Sequence, residues 1–312
     1  MLSRHAVPVI VACLLACLAT THAVAIRGGT EPAADEPGAR ATVMVTVPHG
    51  ACSGLVYGDS FVITAAHCLA DHDLTSTVQP DQVTITYGRS LKDPDAVMRK
   101  AAAVAIEENF LKQFAAWLGS DANLPEDDMP LNQEDIGLIR ISGAHPTRAL
   151  SAALPAINNE YVVCCLPRIR TWPLVWLDVY GFGAAPKGET LHKMRIGTSA
   201  PDMVHRGRAP NLEQPYLPRQ MMVRPDDLSV VEQPSSDARG VCHGDSGGPA
   251  FFVTTTRSRA VPRVPIKLIK GQPLAAGILS HTFAPDECSG RFAVVRLDYY
   301  RDWILAHVKL MK

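Results

Sequence analysis

The sequence predicts an all-β fold, and three observations carry that expectation. Runs such as "VMVTV" (43–47), "QVTITYG" (82–88), "IGLIRI" (136–141) and "AVVRL" (293–297) are rich in β-branched residues and bounded by Gly, Pro and Asp. Proline is abundant, at 24 of 312 residues, which works against long helices. Sustained helical periodicity is rare.

In chain order, residues 1–25 stand apart from that pattern. Arg4 precedes an apolar stretch over 6–19, and "AVA" at 23–25 fits the small-x-small pattern of signal cleavage. The run is too short to span a bilayer comfortably, and no later stretch approaches a membrane helix. A lipidation-type "LLAC" at 14–17 is a weaker match, because Leu15 fits poorly beside the modified cysteine. The expectation is a signal peptide over 1–25, a secreted (extracellular or periplasmic) protein, and no integral membrane segment in the mature chain. The 287 residues left of 312 suffice for one large β-barrel-type domain or two smaller packed ones. With 29 basic against 31 acidic residues, the mature net charge is about −2. That balance gives no reason to expect nucleic acid or an anionic membrane as partner.

Residues 40–105 read as short strands and turns. "EENFLKQFAAWL" (107–118) places Phe110, Leu111, Phe114, Trp117 and Leu118 on one helical face, which predicts a small surface helix over the core. An acidic loop, "DANLPEDDMP", follows, then a strand at 134–141 and a Pro-rich stretch at 153–173 that could join two halves. Strands resume at 174–183, residues 184–240 are loop-rich, and strands return after 241. "DYYRDWILAHVKL" (298–310) reads as a C-terminal helix buried along Tyr300, Ile304 and His307 or Val308. Arg257, Arg259, Arg263, Lys267 and Lys270 read as solvated surface.

Six cysteines follow the signal: Cys52, Cys68, Cys164, Cys165, Cys242 and Cys288. An even number in an exported chain favours disulfides over thiols or metal. No CxxC pair or His-rich spacing argues for zinc, and no metal or cofactor is expected.

The densest chemical signal is "GVCHGDSGGPAFF" (240–252). A serine hydroxyl needs a neighbouring base to become a nucleophile. Glycines beside it let backbone N–H groups approach a reacting carbonyl and stabilise an oxyanion. Ser246, between Gly244 and Gly247, meets both needs. The same string satisfies the G-x-S-x-G elbow, but that motif requires a helix straight after the serine, then an acid and a histidine. Gly247-Gly248-Pro249 opposes such a helix, and too little chain follows. The base must lie upstream, where "FVITAAHC" (61–68) offers His67 at the end of an apolar strand, beside Cys68. A buried carboxylate should fix the imidazole tautomer, and Asp135, opening the "IGLIRI" strand, suits.

"TAAHC", "DIGLIRI" and "CHGDSGGP", in that order, resemble the three signature segments of the trypsin/chymotrypsin family of serine endopeptidases. "GFG" (181–183), "GILS" (277–280) and "DWI" (302–304) extend the likeness over essentially all of 26–305. The resemblance implies two packed antiparallel six-stranded β-barrels with a C-terminal α-helix, the first at about 26–155 and the second at about 156–312. The site would lie in the crevice between them. It implies Ser246 as nucleophile, His67 as general base and then acid, and Asp135 as the group orienting the imidazole. Backbone N–H groups of Gly244 and Ser246 would form the oxyanion hole. Ser280 would support Asp135, and residues 280–282 would pair with substrate backbone. Disulfides Cys52–Cys68 and Cys242–Cys288 are implied, leaving Cys164 and Cys165 unassigned between a vicinal bond, free thiols and an intermolecular pair.

The chain also departs from the family pattern. Gly240 stands where an acid would bind a basic substrate side chain, so cleavage after Arg or Lys is not expected. Thr282 falls where a glycine usually leaves a wide pocket entrance, and Phe292, or Gly290 in a shifted alignment, falls at another small-residue position. Thr282 and Phe292 together lining the pocket imply a preference for small apolar side chains. His281 replaces a tryptophan of the adjoining subsite, and the segment before Asp135 is long. Protein or peptide substrates and protein inhibitors are the partners implied. The alternative is a non-catalytic homologue acting as a binding protein; an esterase-like use of the same triad is a third reading. Finally, "IRGG" (26–29) resembles the family's mature start, whose ammonium group pairs with the aspartate before the nucleophile, here Asp245. Cleavage after Ala25 would itself expose Ile26, so no zymogen stage is expected.

Overall fold

The computed structural model describes residues 26, 28–71, 76–90, 92–112, 134–155, 175–183, 190–198, 220–223, 240–253, 266–282 and 292–312. The chain is mostly β. Six strands form the first half: β1 (Thr42–Val47), β2 (Gly50–Tyr57), β3 (Phe61–Thr64), β4 (Thr84–Tyr87), β5 (Val97–Ile106) and β6 (Gly137–Ile141). They close into an antiparallel barrel in the order β1-β2-β3-β6-β5-β4. Closure leaves no unpaired edge in this half. Two one-turn helices flank the barrel strands, α1 (Pro37–Arg40) before β1 and α2 (Ala66–Leu69) after β3.

The second half supplies β7 (Val175–Gly181), β8 (His192–Thr198), β9 (Gln220–Val223), β10 (Pro249–Phe252), β13 (Ala275–Thr282) and β14 (Phe292–Arg296). These form a six-stranded antiparallel sheet in the order β8-β7-β10-β13-β14-β9. The strand number agrees with a second six-stranded barrel. Unlike the first half, this sheet is not closed among the described residues: no ladder joins β8 to β9. A small hairpin of β11 (Leu268–Ile269) and β12 (Gln272–Pro273) turns at Lys270 and Gly271, both with positive φ. The last element, α3 (Arg301–Leu310), is the expected C-terminal helix, with Tyr300 and Ile304 buried and Val308 packed against the core.

The period-2 alternation of the strands sorts most of the core into three clusters. Val43, Val45, Val47, Cys52, Val56, Val62, Ile85 and Ile139 point into the first barrel. Leu177, Val179, Ala250, Phe252, Ala276, Phe292 and Val294 fill the second sheet's inner face. Residues one step out of phase in the same strands pack between the halves: Met44, Leu55, Ile63 and Leu138 against Tyr180, Phe251 and Val295, joined by Ile278 beyond a β-bulge that shifts the phase of β13. Strand β1 is therefore buried at five of its six positions instead of alternating, because both its faces are covered. Each such apolar side chain contributes about 1.5–3 kcal/mol, and this shared seam brings the two halves' loops together.

Of the expected 107–118 helix, residues 110–112 take helical backbone and the remainder lies outside the described residues. Phe110 is fully buried against Ala66 and Ala70 of the α2 region, as its place on the apolar face predicts.

Candidate active site

Three segments converge where the halves meet. Strands β3 and β6 pair with Thr64 opposite Gly137, so the residues just beyond them, His67 on α2 and Asp135 before β6, leave the barrel at the same end. Asp135 is 1% exposed. Its Oδ2 lies 2.8 Å from His67 Nδ1, and its Oδ1 accepts the His67 backbone N–H at 2.9 Å. The Ser280 hydroxyl donates to Asp135 Oδ2 at 2.5 Å. A buried carboxylate is tolerated when this fully hydrogen-bonded.

The electrostatics follow from this geometry. Burial by itself pushes the His67 pKa down, but the Asp135 charge and hydrogen bond outweigh it, leaving the imidazole above its ordinary 6.5. Burial pushes Asp135 up, and His67 with the Ser280 hydroxyl more than reverse that, holding the carboxyl below its ordinary value. The side chain of His67 remains 29% exposed, open on the face away from Asp135.

Ser246 sits in the loop before β10. Its hydroxyl donates to the Ser280 carbonyl at 3.0 Å, and no hydrogen bond joins it to His67 among the described residues. Ser280 therefore touches both partners, Asp135 through its side chain and Ser246 through its backbone. The loop around Ser246 is held by a set of backbone hydrogen bonds. The Asp245 N–H donates to Cys242 O at 3.1 Å, Gly247 N–H to Leu279 O at 2.7 Å, and Gly248 N–H to Asp245 O at 2.9 Å. Among the described residues, the N–H groups of Gly244 and Ser246 have no protein acceptor. Gly244 has φ +85°, which suits glycine there.

Asp245 is fully buried. Its Oδ1 accepts Gly183 N–H at 2.9 Å, and its Oδ2 accepts Cys242 N–H at 2.7 Å and the backbone nitrogen of Ile26 at 3.0 Å. A Cβ on Gly181 would lie 2.2 Å from Asp245 Oδ1, which explains the small residue opening "GFG". Ile26 is itself fully buried with φ +33°, a strained value for a β-branched residue.

The remaining expected positions divide between described and undescribed chain. Cys52 and Cys68 form a disulfide (S–S 2.07 Å) that ties β2 to α2. Cys242 is also disulfide-bonded, while Cys288, Cys164 and Cys165 lie outside the described residues. Gly240 is buried, and its neighbour Val241 shares an apolar cluster with Phe292, which is 1% exposed. Thr282 is Phe292's ladder partner between β13 and β14. Two features carried no sequence signal. Ser53 is fully buried between the halves, its hydroxyl bonded to Gly244 O and Phe182 N–H. Glu107 and Glu134 are buried against one another one residue from Asp135, and burial with the second carboxylate pushes Glu107 up to about 7.

A buried His–Asp pair, a serine within reach of both halves, and two unbonded N–H groups beside it can support nucleophilic acyl transfer without a metal ligand set. In comparison with known proteins, a family model described as Trypsin matches residues 26–304. Among solved structures, the scabies mite inactivated protease paralogue S-I1 is 17% identical at a TM-score of 0.54, over 90% of this chain and 98% of that one. Human heparin binding protein is 16% identical at a TM-score of 0.54, over 90% of this chain and 96% of that one. No curated protein matches the sequence. At these identities the structural neighbours establish the chymotrypsin-like fold.

Proposed function

The chain belongs to the trypsin family of serine proteases, and on that premise we propose that it is an active, secreted serine endopeptidase. The observation that carries this reading is the bonded chain from His67 through Asp135 to Ser280, with the N–H groups of Gly244 and Ser246, unbonded among the described residues, beside it. In the proposed mechanism, Ser246 rotates about χ1 toward the exposed face of His67. His67 takes the hydroxyl proton as Oγ bonds to the scissile carbonyl carbon, and the carbonyl π pair moves to oxygen. The N–H groups of Gly244 and Ser246 receive that oxyanion. Collapse breaks the C–N bond while His67 protonates the leaving amine. Water, deprotonated by His67, then hydrolyses the acyl-enzyme.

Asp245 is the proposed anchor of the oxyanion loop, and the free ammonium of Ile26 its partner. The 3.0 Å approach of Ile26 N to Asp245 supports this pairing. So does the strain at Ile26: a residue whose preceding peptide bond is cut has no φ to strain. Signal cleavage after Ala25 is proposed to create that terminus directly. Gly240 at the pocket floor, with Phe292 buried alongside Val241, favours small apolar substrate side chains over Arg or Lys.

The second reading is a non-catalytic homologue that binds partners. It is favoured by Ser246 pointing at the Ser280 carbonyl instead of His67, and by the inactivated mite paralogue among the neighbours. Digestion of a peptide library by the wild type and by Ser246→Ala separates the two. Cleavage present in the first and absent in the second supports the enzyme; no cleavage by either supports the binding protein.

A further inference from the structure

Ser53 uses both its N–H and its hydroxyl across the seam between the halves, and its carbonyl within its own barrel. Its N–H donates to Ser246 O at 2.8 Å, and its own carbonyl accepts the Thr64 hydroxyl at 2.8 Å. Its hydroxyl donates to Gly244 O at 3.0 Å and accepts Phe182 N–H at 3.0 Å. The residue is fully buried, and Cys52 beside it is covalently tied to Cys68 next to His67. Ser53 is thus held from several sides at a place the chain cannot easily move.

The consequence lies in the peptide planes. A peptide plane is fixed when both its C=O and its N–H are bonded. The Gly244–Asp245 plane has its C=O held by Ser53 Oγ and its N–H by Cys242 O. The Ser246–Gly247 plane has its C=O held by Ser53 N–H and its N–H by Leu279 O. Those two planes flank the Asp245–Ser246 plane, whose N–H is free, and the first of them shares Cα with the free N–H of Gly244. The loop over 181–183 is drawn into the same network, giving Phe182 N–H to Ser53 and Gly183 N–H to Asp245.

We propose that Ser53 is a positioning residue for the oxyanion hole, its hydroxyl fixing the Gly244–Asp245 peptide so that the Gly244 N–H faces the substrate carbonyl. The proposal rests on the endopeptidase reading above. Without the hydroxyl, Gly244 O loses a donor and the peptide gains freedom to rotate at a φ +85° glycine. Substrate binding depends on other contacts, so the loss falls on the transition state.

The test compares Ser53→Ala with Thr42→Val. Thr42 is an equally buried hydroxyl, donating to Gly38 O at 2.7 Å in the first barrel, away from the loop. Peptide hydrolysis, inhibition by a peptide aldehyde and thermal unfolding are measured for each. For Ser53→Ala, kcat is expected to fall about tenfold, the equivalent of about one buried hydrogen bond, with KM within about twofold. The aldehyde, whose hemiacetal oxygen occupies the oxyanion position, weakens by a similar factor. Thr42→Val lowers the unfolding temperature and leaves kcat unchanged. Should Ser53→Ala fail to fold, Ser53→Gly removes the same hydroxyl and carries the same expectation. Equal kcat in Ser53→Ala, or Ser53→Gly, and Thr42→Val overturns the positioning role while leaving the endopeptidase reading intact. A wild type without Ser246-dependent hydrolysis overturns both.

Discussion

Asp135 grips His67 at two points, Oδ2 on the imidazole Nδ1 at 2.8 Å and Oδ1 on the backbone N–H at 2.9 Å. Burial alone would lower the His67 pKa, and the carboxylate's charge and hydrogen bond raise it above 6.5. Because the base must be neutral to accept a proton, kcat/KM is expected to rise with pH along an acid limb whose apparent pKa exceeds 6.5. Asp135→Asn should bring that limb down and cut kcat about 10⁴-fold, the size the change has in this family's triad generally. For stability the sign is that of a raised histidine. With Asp135 ionised, the histidine's contribution is full below pH 6.5 and is lost as pH climbs through the raised folded-state value. Asp135, held below its ordinary value, loses its own contribution only as pH falls into the acid range.

In the proposed activation, the contact between Ile26 N and Asp245 couples maturation to the site. Edman sequencing or mass spectrometry of the secreted protein should find a terminus at Ile26. An active form beginning upstream of Ile26 contradicts the pairing. Asp245→Asn leaves the buried ammonium unpaired, at a cost of roughly 3–5 kcal/mol. Activity should fall by about two orders of magnitude or more.

Gly247 is where the two halves interlock. A Cβ there would lie 2.1 Å from Thr64 Oγ1 and 2.3 Å from Ser53 O, at φ +78°. Gly247→Ala is expected to destabilise the fold by about 2–4 kcal/mol, read from denaturant unfolding, and to reduce activity with it. A neutral result would mean the seam yields more readily than this packing implies.

Phe292 tests the pocket. A library digest with the wild type should show cleavage after small apolar residues, and cleavage mainly after Arg or Lys would contradict the Gly240 argument. Phe292→Ala opens space beside Val241 and should extend cleavage to larger apolar residues. The variant costs about 3–5 kcal/mol, so the assay belongs well below the unfolding temperature.

Glu107 and Glu134 provide a separate pH signature. With Glu107 raised from 4.5 to about 7, the folded state holds a proton the unfolded chain releases. Stability should therefore decline as pH rises from about 4.5 to 7. Glu107→Gln should flatten that slope by about 1–2 kcal/mol in pH-dependent unfolding. The neighbouring Glu108 carboxylate adds to the same upward shift.

Much of this was legible in the sequence because local pattern and tertiary role coincide. Strands β1 and β6 announce themselves by composition, and His67, Asp135 and Ser246 each stand at the end of such a strand or in a glycine-rich turn. Ser53 was not legible: a serine in "CSG" has no local property that distinguishes it. Its role arises only when β2 of one half meets the loop of the other, 191 residues away. The Glu107–Glu134 contact was hidden for the same reason, since a surface-type residue such as Glu107 acquires a raised pKa only from tertiary burial. Helical periodicity at 107–118 identified Phe110 as buried, but not the contacts with Ala66 and Ala70 that bury it.

The central claim is that Ser246 is an activated nucleophile despite resting on the Ser280 carbonyl. Labelling of the mature protein with a fluorophosphonate, followed by peptide mapping, tests it most directly. The account predicts stoichiometric modification of Ser246, lost in Ser246→Ala and strongly slowed in His67→Ala. Folded, correctly processed protein that takes no label at Ser246 would contradict it.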